Sequence, residues 1–402
     1  WLKSNFLSVP MRRVILEFFI FPVLLLADRV CLLAERSQKF LSRADGSPEF
    51  TKLLPEIDEV MNPIKEAEIS AAECRKMIQS LKKTHPTMKR PGVIHTSYII
   101  NETQDHWNKT SDMDRKMRLL PLSFLASQNL TRSKMYFWSN VDPSHRMVKE
   151  IFDPIFKSDI YRKSIVLKKF ELEKEMSQVI EGYQPDASQE QKQKMVEKLV
   201  QTYKSMTEIT SQSDLLRMAL LFNYGGVWMD TDVVLVQDLT PIMEEDWVSL
   251  LYKNFVNQAT ISVSKAGSPF IRACLNKILG KPMQFGWSAY GPSMLLRMTQ
   301  EMQNSGEEAL FHILPNCFFE GACSPESVVE HQAATNWVEF FATAVDDKSR
   351  LAHIDYLNPK AEEHSIFGFH WHNRWDIPIT NGSVADVTEK LYCQQLKLNF
   401  CI

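Results

Sequence analysis

Asp230 and Asp232, separated by one residue, interrupt what reads as a buried strand made of two apolar runs, Val227-Trp-Met229 and Val233-Val-Leu-Val236. Carboxylates so close to a buried strand are costly unless something positive compensates them, and hard oxygen ligands of this kind suit a divalent cation. Upstream, Asp214 and Arg217 lie on a helical pattern; downstream, His370, His372, Asn373 and Trp375 crowd into the stretch 368–375. A cation held by the two acids and one further protein ligand, with a diphosphate completing its shell, would draw on all of these groups. Its charge would neutralise the diphosphate as an attached sugar departs.

These side chains need elements to aim them. Leu215, Leu216, Ala219, Leu220 and Phe222 recur at helical spacing, with Ser213 the expected N-cap. Gly225 sits where a left-handed C-cap is wanted, and Gly226 permits a tight reversal into the strand that ends in the acids. Further strands are expected at Pro91–Ile100, Met135–Ser139 and Ile165–Lys168, with a helix over Arg115–Gln128. Strand, helix, strand is the signature of an α/β sheet. Ser188 and Gln191 form a capping box, and Val196, Leu199, Tyr203 and Met206 mark one face of the helix that follows. Trp247–Tyr252 and Ala259–Ser264 read as strands, and Pro269–Leu279 and Met294–Gln303 as helices. Gly291-Pro292-Ser293 opens the last of these, and its free N–H groups would suit an anion such as a phosphate.

Charge and composition exclude some classes. With 402 residues and a net charge of −3, nothing electrostatic argues for nucleic acid as a partner. No Cys-x-x-Cys pair suggests structural zinc; Cys317 with Cys323, and Cys393 with Cys401, are spaced to close small disulfide loops, with buried free thiols as the alternative. Arg12-Arg13 before the apolar run 14–27 suits a signal anchor with a cytosolic N-terminus, although Glu17 interrupts it. A cleaved signal core and a soluble amphipathic helix are the other readings. Sequons at Asn101, Asn108, Asn129 and Asn381 fit glycosylation in a secretory lumen. The expected organisation is a signal-anchor segment at 1–34, a stem or peripheral helical segment at 35–90, and the main domain at 91–402.

Residues 213–238 closely resemble the DXD-containing sugar-binding region of a glycosyltransferase superfamily. The shared pattern is Ser213-Asp214-x-x-Arg217, an apolar helix, Gly225-Gly226, the aromatic Trp228, then Asp230-x-Asp232. Val93-Ile-His-Thr96, Met135–Asn140, Gly291-Pro292 and His370-x-x-Asn373-x-Trp375 extend the likeness over 91–375. The resemblance implies a GT-A (Rossmann-like) α/β fold with helical additions, a UDP- or GDP-sugar donor, Mn²⁺ or Mg²⁺, and retention of anomeric configuration. It implies that Asp230 holds the donor ribose and, through water, the metal, and that Asp232 binds the metal directly. Asp214 and Arg217 would grip the sugar, with Trp228 beside it, where relatives commonly carry Tyr. His370 would reach the metal, with His372 as competing ligand, while Asn373 and Trp375 would line the diphosphate. The acceptor would be a glycan or glycolipid, and the setting a Golgi or other secretory membrane with a lumenal domain.

Two rivals use the same acids. In a haloacid-dehalogenase-like phosphatase the first Asp is a nucleophile and the second an acid/base, but there the motif opens the domain and Asp214 and Arg217 would have no task. A non-catalytic glycan-binding relative would use the acids for a structural ion. The glycosyltransferase reading requires that residues 213–238 and the region around His370 meet in space.

Overall fold

The computed structural model describes residues 71–100, 112–251, 255–280, 290–305, 310–319, 339–342 and 366–401. The helices are α1 (Ala71–Thr84), α2 (Met113–Ser127), α3 (Arg146–Phe152), α4 (Asp159–Ser164), α5 (Leu172–Tyr183), α6 (Gln189–Ser205), α7 (Ile209–Tyr224), α8 (Pro269–Leu279), α9 (Pro292–Ser305), α10 (Glu339–Ala342) and α11 (Val384–Gln395). The strands are β1 (Gly92–Tyr98), β2 (Ser133–Ser139), β3 (Ile165–Lys169), β4 (Gly226–Met229), β5 (Val233–Leu235), β6 (Trp247–Leu251), β7 (Phe255–Val263), β8 (His312–Leu314) and β9 (Gly368–His370).

Seven strands form one sheet in the order β3-β2-β1-β4-β7-β6-β8, and β5 pairs with β9 in a second, two-stranded sheet. β3, β2, β1 and β4 run parallel; β7 joins β4 antiparallel. This is the α/β, GT-A (Rossmann-like) architecture with helical additions that the sequence leads one to expect. Parallel strands need both faces covered. Ile94, Met135, Phe137, Val227 and Met229 pack with α1, α2 and α3 residues on one face. Trp138, Trp228, Ile261 and Val263 meet α5, α6, α7 and α8 on the other.

The α7–β4 junction depends on its two glycines. Gly225 has φ +65° and Gly226 φ +92°; a Cβ on Gly225 would come within 2.8 Å of the Lys265 backbone, and one on Gly226 within 2.6 Å of the Val93 carbonyl. The absence of Cβ lets β4 lie against β1 directly after the helix. His95 locks the junction: Trp138 Nε1 donates to His95 Nδ1 at 3.1 Å, and His95 Nε2 lies 2.9 Å from the Gly225 carbonyl. Complete burial pushes the imidazole down to about 3, so His95 is a neutral structural joint that accepts at Nδ1 and donates from Nε2.

Local periodicity located most elements well. α8 spans the expected residues, and the Ser188–Gln191 capping box is formed at the start of α6. Three expectations need correction. Ser213 does not cap α7, which begins at Ile209 after Glu208. The first turn is instead tied down by Gln212 Nε2 donating to the Met206 carbonyl at 3.0 Å, a local bond from within the turn that a capping rule does not consider. Val233–Val236 does not continue β4: the chain turns at Asp230–Asp232 and leaves the main sheet. Cys317 does not bond Cys323, which lies outside the described residues. Its partner is Cys74, because Cys74, Met77, Ile78 and Leu81 of α1 pack into the same core as Cys317 and Phe318. Cys393 does pair with Cys401 as its spacing allows. Cys274 is buried and free.

Among the described residues no helix is long and apolar enough to cross a membrane. The anchor segment, most of the stem, and the sequons at Asn101 and Asn108 lie outside them. Asn129 and Asn381 are both exposed.

Candidate functional site

The site begins where β4 ends. Asp230 accepts hydrogen bonds at Oδ1 from Arg217 Nη2 (2.7 Å) and Trp228 Nε1 (2.6 Å). Its N–H donates to the Ala259 carbonyl of β7 at 2.8 Å, which holds the backbone at the sheet edge. The Val233 N–H then returns to the Asp230 carbonyl at 3.1 Å, closing the Asp-Thr-Asp turn. That turn hands the chain to β5, where Val233 pairs with His370, Val234 with Phe369 and Leu235 with Gly368.

Through this pairing the two distant segments meet. Asp232 is 1 % exposed. Its Oδ2 accepts from the Asn373 N–H at 2.7 Å and lies 3.1 Å from His370 Nε2. Its carbonyl accepts from the Trp371 N–H at 3.0 Å. His370 Nδ1 lies 3.1 Å from Asn257 Nδ2, and the Asn257 carbonyl oxygen accepts from the Ala259 N–H. Both ring nitrogens of His370 therefore face protein partners, and in this arrangement it supports Asp232. His372, at φ 54°, lies against His370 with ring centroids 3.8 Å apart and the planes tilted by 37°.

The electrostatics separate the two acids. Burial raises Asp230 above the ordinary carboxylate range, the Arg217 charge opposes this, and the Asp232 charge adds to it. Burial works in the same direction on Asp232, but the neighbouring His370 charge and the bonds from His370 and Asn373 outweigh it and hold Asp232 low. Asp232 Oδ1 is buried without a hydrogen-bond partner among the described residues. An ionised oxygen of this kind calls for a cation or a donor. The donor set, two carboxylates with one oxygen left open, fits a hard divalent ion such as Mn²⁺ or Mg²⁺.

Arg217 has a matching surplus. It is 2 % exposed, lies over the Trp228 ring at 5.1 Å, and faces Asp214 Oδ1 at 3.4 Å. Its Nε and Nη1 have no hydrogen-bond partner among the described residues. Asp214 is buried beside it, and that burial lifts its carboxyl to about 7 against the pull of Arg217. Trp228 is fully buried and serves Asp230 and Arg217 from below. Asn373 uses its amide oxygen to accept from Trp375 Nε1 at 3.0 Å, and Trp375 packs edge-on to Trp371.

Two amides on β7 were not among the residues singled out from sequence. Asn257 holds His370, and Gln258 lies beside Asp214: a Cβ built on Gly291 would come within 2.5 Å of Asp214 Oδ2 and would also collide with the Gln258 amide. The start of α9 at Gly291-Pro292 therefore neighbours Asp214 and Gln258. The available signal was a pair of amides directly before the apolar run Ala259–Val263, but that strand was read as starting after them.

Residues 71–249 match the family described as glycosyltransferase sugar-binding region containing DXD motif. That span contains Asp214, Arg217, Asp230 and Asp232, and the match agrees with the resemblance read from the sequence. A human alpha-1,4-N-acetylglucosaminyltransferase is 28% identical over 86 residues, 21% of this chain and 24% of that protein. An uncharacterized Arabidopsis thaliana protein is 38% identical over 72 residues, 17% of this chain and 11% of its own. The chain thus matches less than a quarter of the length of these curated relatives. Among solved structures, PaToxG glycosyltransferase aligns with TM-score 0.34 and 16% identity over 58% of this chain and 79% of its own. The apo form of mouse xyloside xylosyltransferase 1 aligns with TM-score 0.34 and 10% identity over 72% and 99%.

Proposed function

We propose that this protein is a metal-dependent, retaining glycosyltransferase that moves a hexose or N-acetylhexosamine from a UDP- or GDP-sugar to a glycan or glycolipid acceptor. The observation that carries the reading is Asp232: His370 and Asn373 hold one carboxylate oxygen and leave the other buried and unpaired. In this reading Asp230 and Asp232 hold Mn²⁺, or Mg²⁺, and His370 keeps Asp232 in place. The ion, when bound, supplies charge neutralisation at the diphosphate.

Arg217 directs its spare N–H groups to donor oxygens, and Asp214 accepts from sugar hydroxyls. Trp228 fixes Asp230 and Arg217 relative to each other, while Asn373 and Trp375 form the wall beside the diphosphate. Retention without an evident enzymic nucleophile fits same-face attack by the acceptor hydroxyl, whose proton passes to a leaving-group oxygen. The chain's contribution is then to orient and to exclude water.

We place the domain in the lumen of the Golgi or a neighbouring secretory compartment, behind an anchor at 1–34. The stem would end before Ala71, since α1 packs into the core. Asn101, Asn108, Asn129 and Asn381 are its proposed glycan acceptors.

The test is a screen of UDP- and GDP-sugars for Mn²⁺-dependent release of nucleotide by the purified chain, repeated after chelation. One donor hydrolysed only with the metal is the expected result. No turnover of any nucleotide-sugar, or release of phosphate from an aryl phosphate instead, would discard the reading.

A further inference from the structure

Lys116 is a buried cation that the donor chemistry does not use. It lies on α2, 0 % exposed, a setting costly for an ammonium group unless each of its three hydrogens finds an acceptor. Here each does. Nζ donates to the carbonyls of Arg374 at 2.7 Å, of Trp375 at 3.1 Å, and of Ile377. The charge also lies 4.2 Å from the centroid of the Phe341 ring.

These carbonyls belong to the irregular segment directly after β9, which has no ladder of its own to hold it. Within that segment His372 and Asn373 adopt left-handed backbone, φ 54° and 55°, a conformation uncommon for residues with a Cβ although His and Asn enter it more readily than most. One constraint comes from the site, where the Asn373 N–H donates to Asp232 Oδ2. The other comes from α2: Lys116 gathers residues 374–377, and Asp112 Oδ2 accepts from the Ile379 N–H at 2.9 Å. Trp375 joins the two, since its Nε1 donates to Asn373 and its carbonyl accepts from Lys116. Filling this space does not by itself call for a charge, because an apolar side chain of similar volume packs at least as well in a buried position. What the ammonium adds is a common point to which three carbonyls converge.

We propose that Lys116 is a positioning residue for the carboxylate of Asp232: by drawing the carbonyls of Arg374, Trp375 and Ile377 together it fixes the turn after β9 from which the Asn373 N–H orients that carboxylate beside His370. The inference rests on the reading of Asp232 as a metal-holding group.

Its test is a titration of the full chain with Mn²⁺ in the presence of UDP or GDP, following free Mn²⁺ by electron paramagnetic resonance. Wild type, Lys116→Gln and Lys116→Met are compared, with circular dichroism and Tm recorded for each. Loss of the ammonium in Lys116→Met is expected to weaken Mn²⁺ binding by about tenfold or more, as removal of groups that orient a metal ligand does. Lys116→Gln, which keeps two donors on a shorter stem, should fall between, and it carries the test if Lys116→Met does not fold. Variants that lose Tm but bind Mn²⁺ like wild type would overturn the proposal and reduce Lys116 to a packing role. Failure of the wild type to bind Mn²⁺ with either nucleotide is a different result: it would remove the reading of Asp232, and this inference with it.

Discussion

Two buried or half-buried arginines on different helices show how differently a charge can be finished. Arg115 on α2 gives Nε to Glu389 Oε2 and Nη2 to Asp386 Oδ1, both at 2.7 Å. Its third nitrogen lies 3.8 Å from Asp112. Lys390 and the Gly382 N–H supply further donors to Asp386, so the network closes on itself and straps α11 to α2. Arg217 on α7 is more deeply buried, yet spends only Nη2 on Asp230 and leaves Nε and Nη1 without hydrogen bonds among the described residues. A buried donor without an acceptor is a standing cost. The closed network builds the fold, and the open one is where the proposed donor would supply the missing acceptors.

The strongest way to break that contrast is at the carboxylate that, like the open arginine, keeps a buried atom without a hydrogen bond among the described residues, Asp232. Asp232→Ala should reduce metal-dependent turnover on the order of a thousandfold or more, while Tm and circular dichroism show a folded protein. Full activity in that variant would end the glycosyltransferase reading of the site.

The arginines themselves give the next pair. Arg217→Met should lower kcat/KM for the nucleotide-sugar by about a hundredfold with little loss of Tm. Arg115→Met should do the reverse. It removes the main partner of Glu389 and one of three from Asp386 and costs about 2–3 kcal/mol, less than for a fully buried pair because Arg115 is a quarter exposed, with kcat/KM per folded molecule unchanged. Equal effects of the two substitutions on stability would erase the distinction.

A smaller change is expected from Gly291→Ala. The new methyl would press on Asp214 and Gln258, and donor KM should rise about tenfold as the two side chains shift. An unaltered KM would place the sugar away from Asp214.

The smallest expected signal is a slope. In the folded chain the Asp214 carboxyl is raised from 3.8 to about 7, chiefly by burial. The folded state therefore keeps a proton that the unfolded state has released between those values. The stability that this proton confers is present below the unfolded pKa and is lost as pH rises through about 7. Denaturation of the metal-free protein across pH 4 to 7 should show wild type losing stability relative to Asp214→Asn. Parallel curves would mean that Asp214 is ionised throughout.

How much of this was legible in the chain depended on distance along it. α6 and α8 were found from capping and period, because both signals lie within the element. Asp214, Arg217, Asp230 and Asp232 were found because helix, glycines and strand end are contiguous. Ser213 is not a cap because α7 already begins at Ile209, after a Glu208 that carries no capping signal. Asn257 and Gln258 were missed because an amide in a strand gains meaning only from what faces it, here His370 and Asp214. Cys74 was unreadable as the partner of Cys317, since only the packing of α1 brings the two sulfurs together.

The sequence by itself determined the class of fold and the chemistry on offer. Alternating helix and strand periods call for a covered parallel sheet, and the acids at the end of β4 need something positive to compensate them, for which a divalent cation is the candidate. What the tertiary structure alone decided was which groups are used up and which remain. The turn at Asp230–Asp232 moves β5 onto β9, and through that pairing His370 and Asn373 occupy one oxygen of Asp232. Lys116, far away on α2, holds the same loop through carbonyls that no side-chain pattern can report. Saturation of a hydrogen bond is a property of three-dimensional neighbours, and no pattern along the chain reports it.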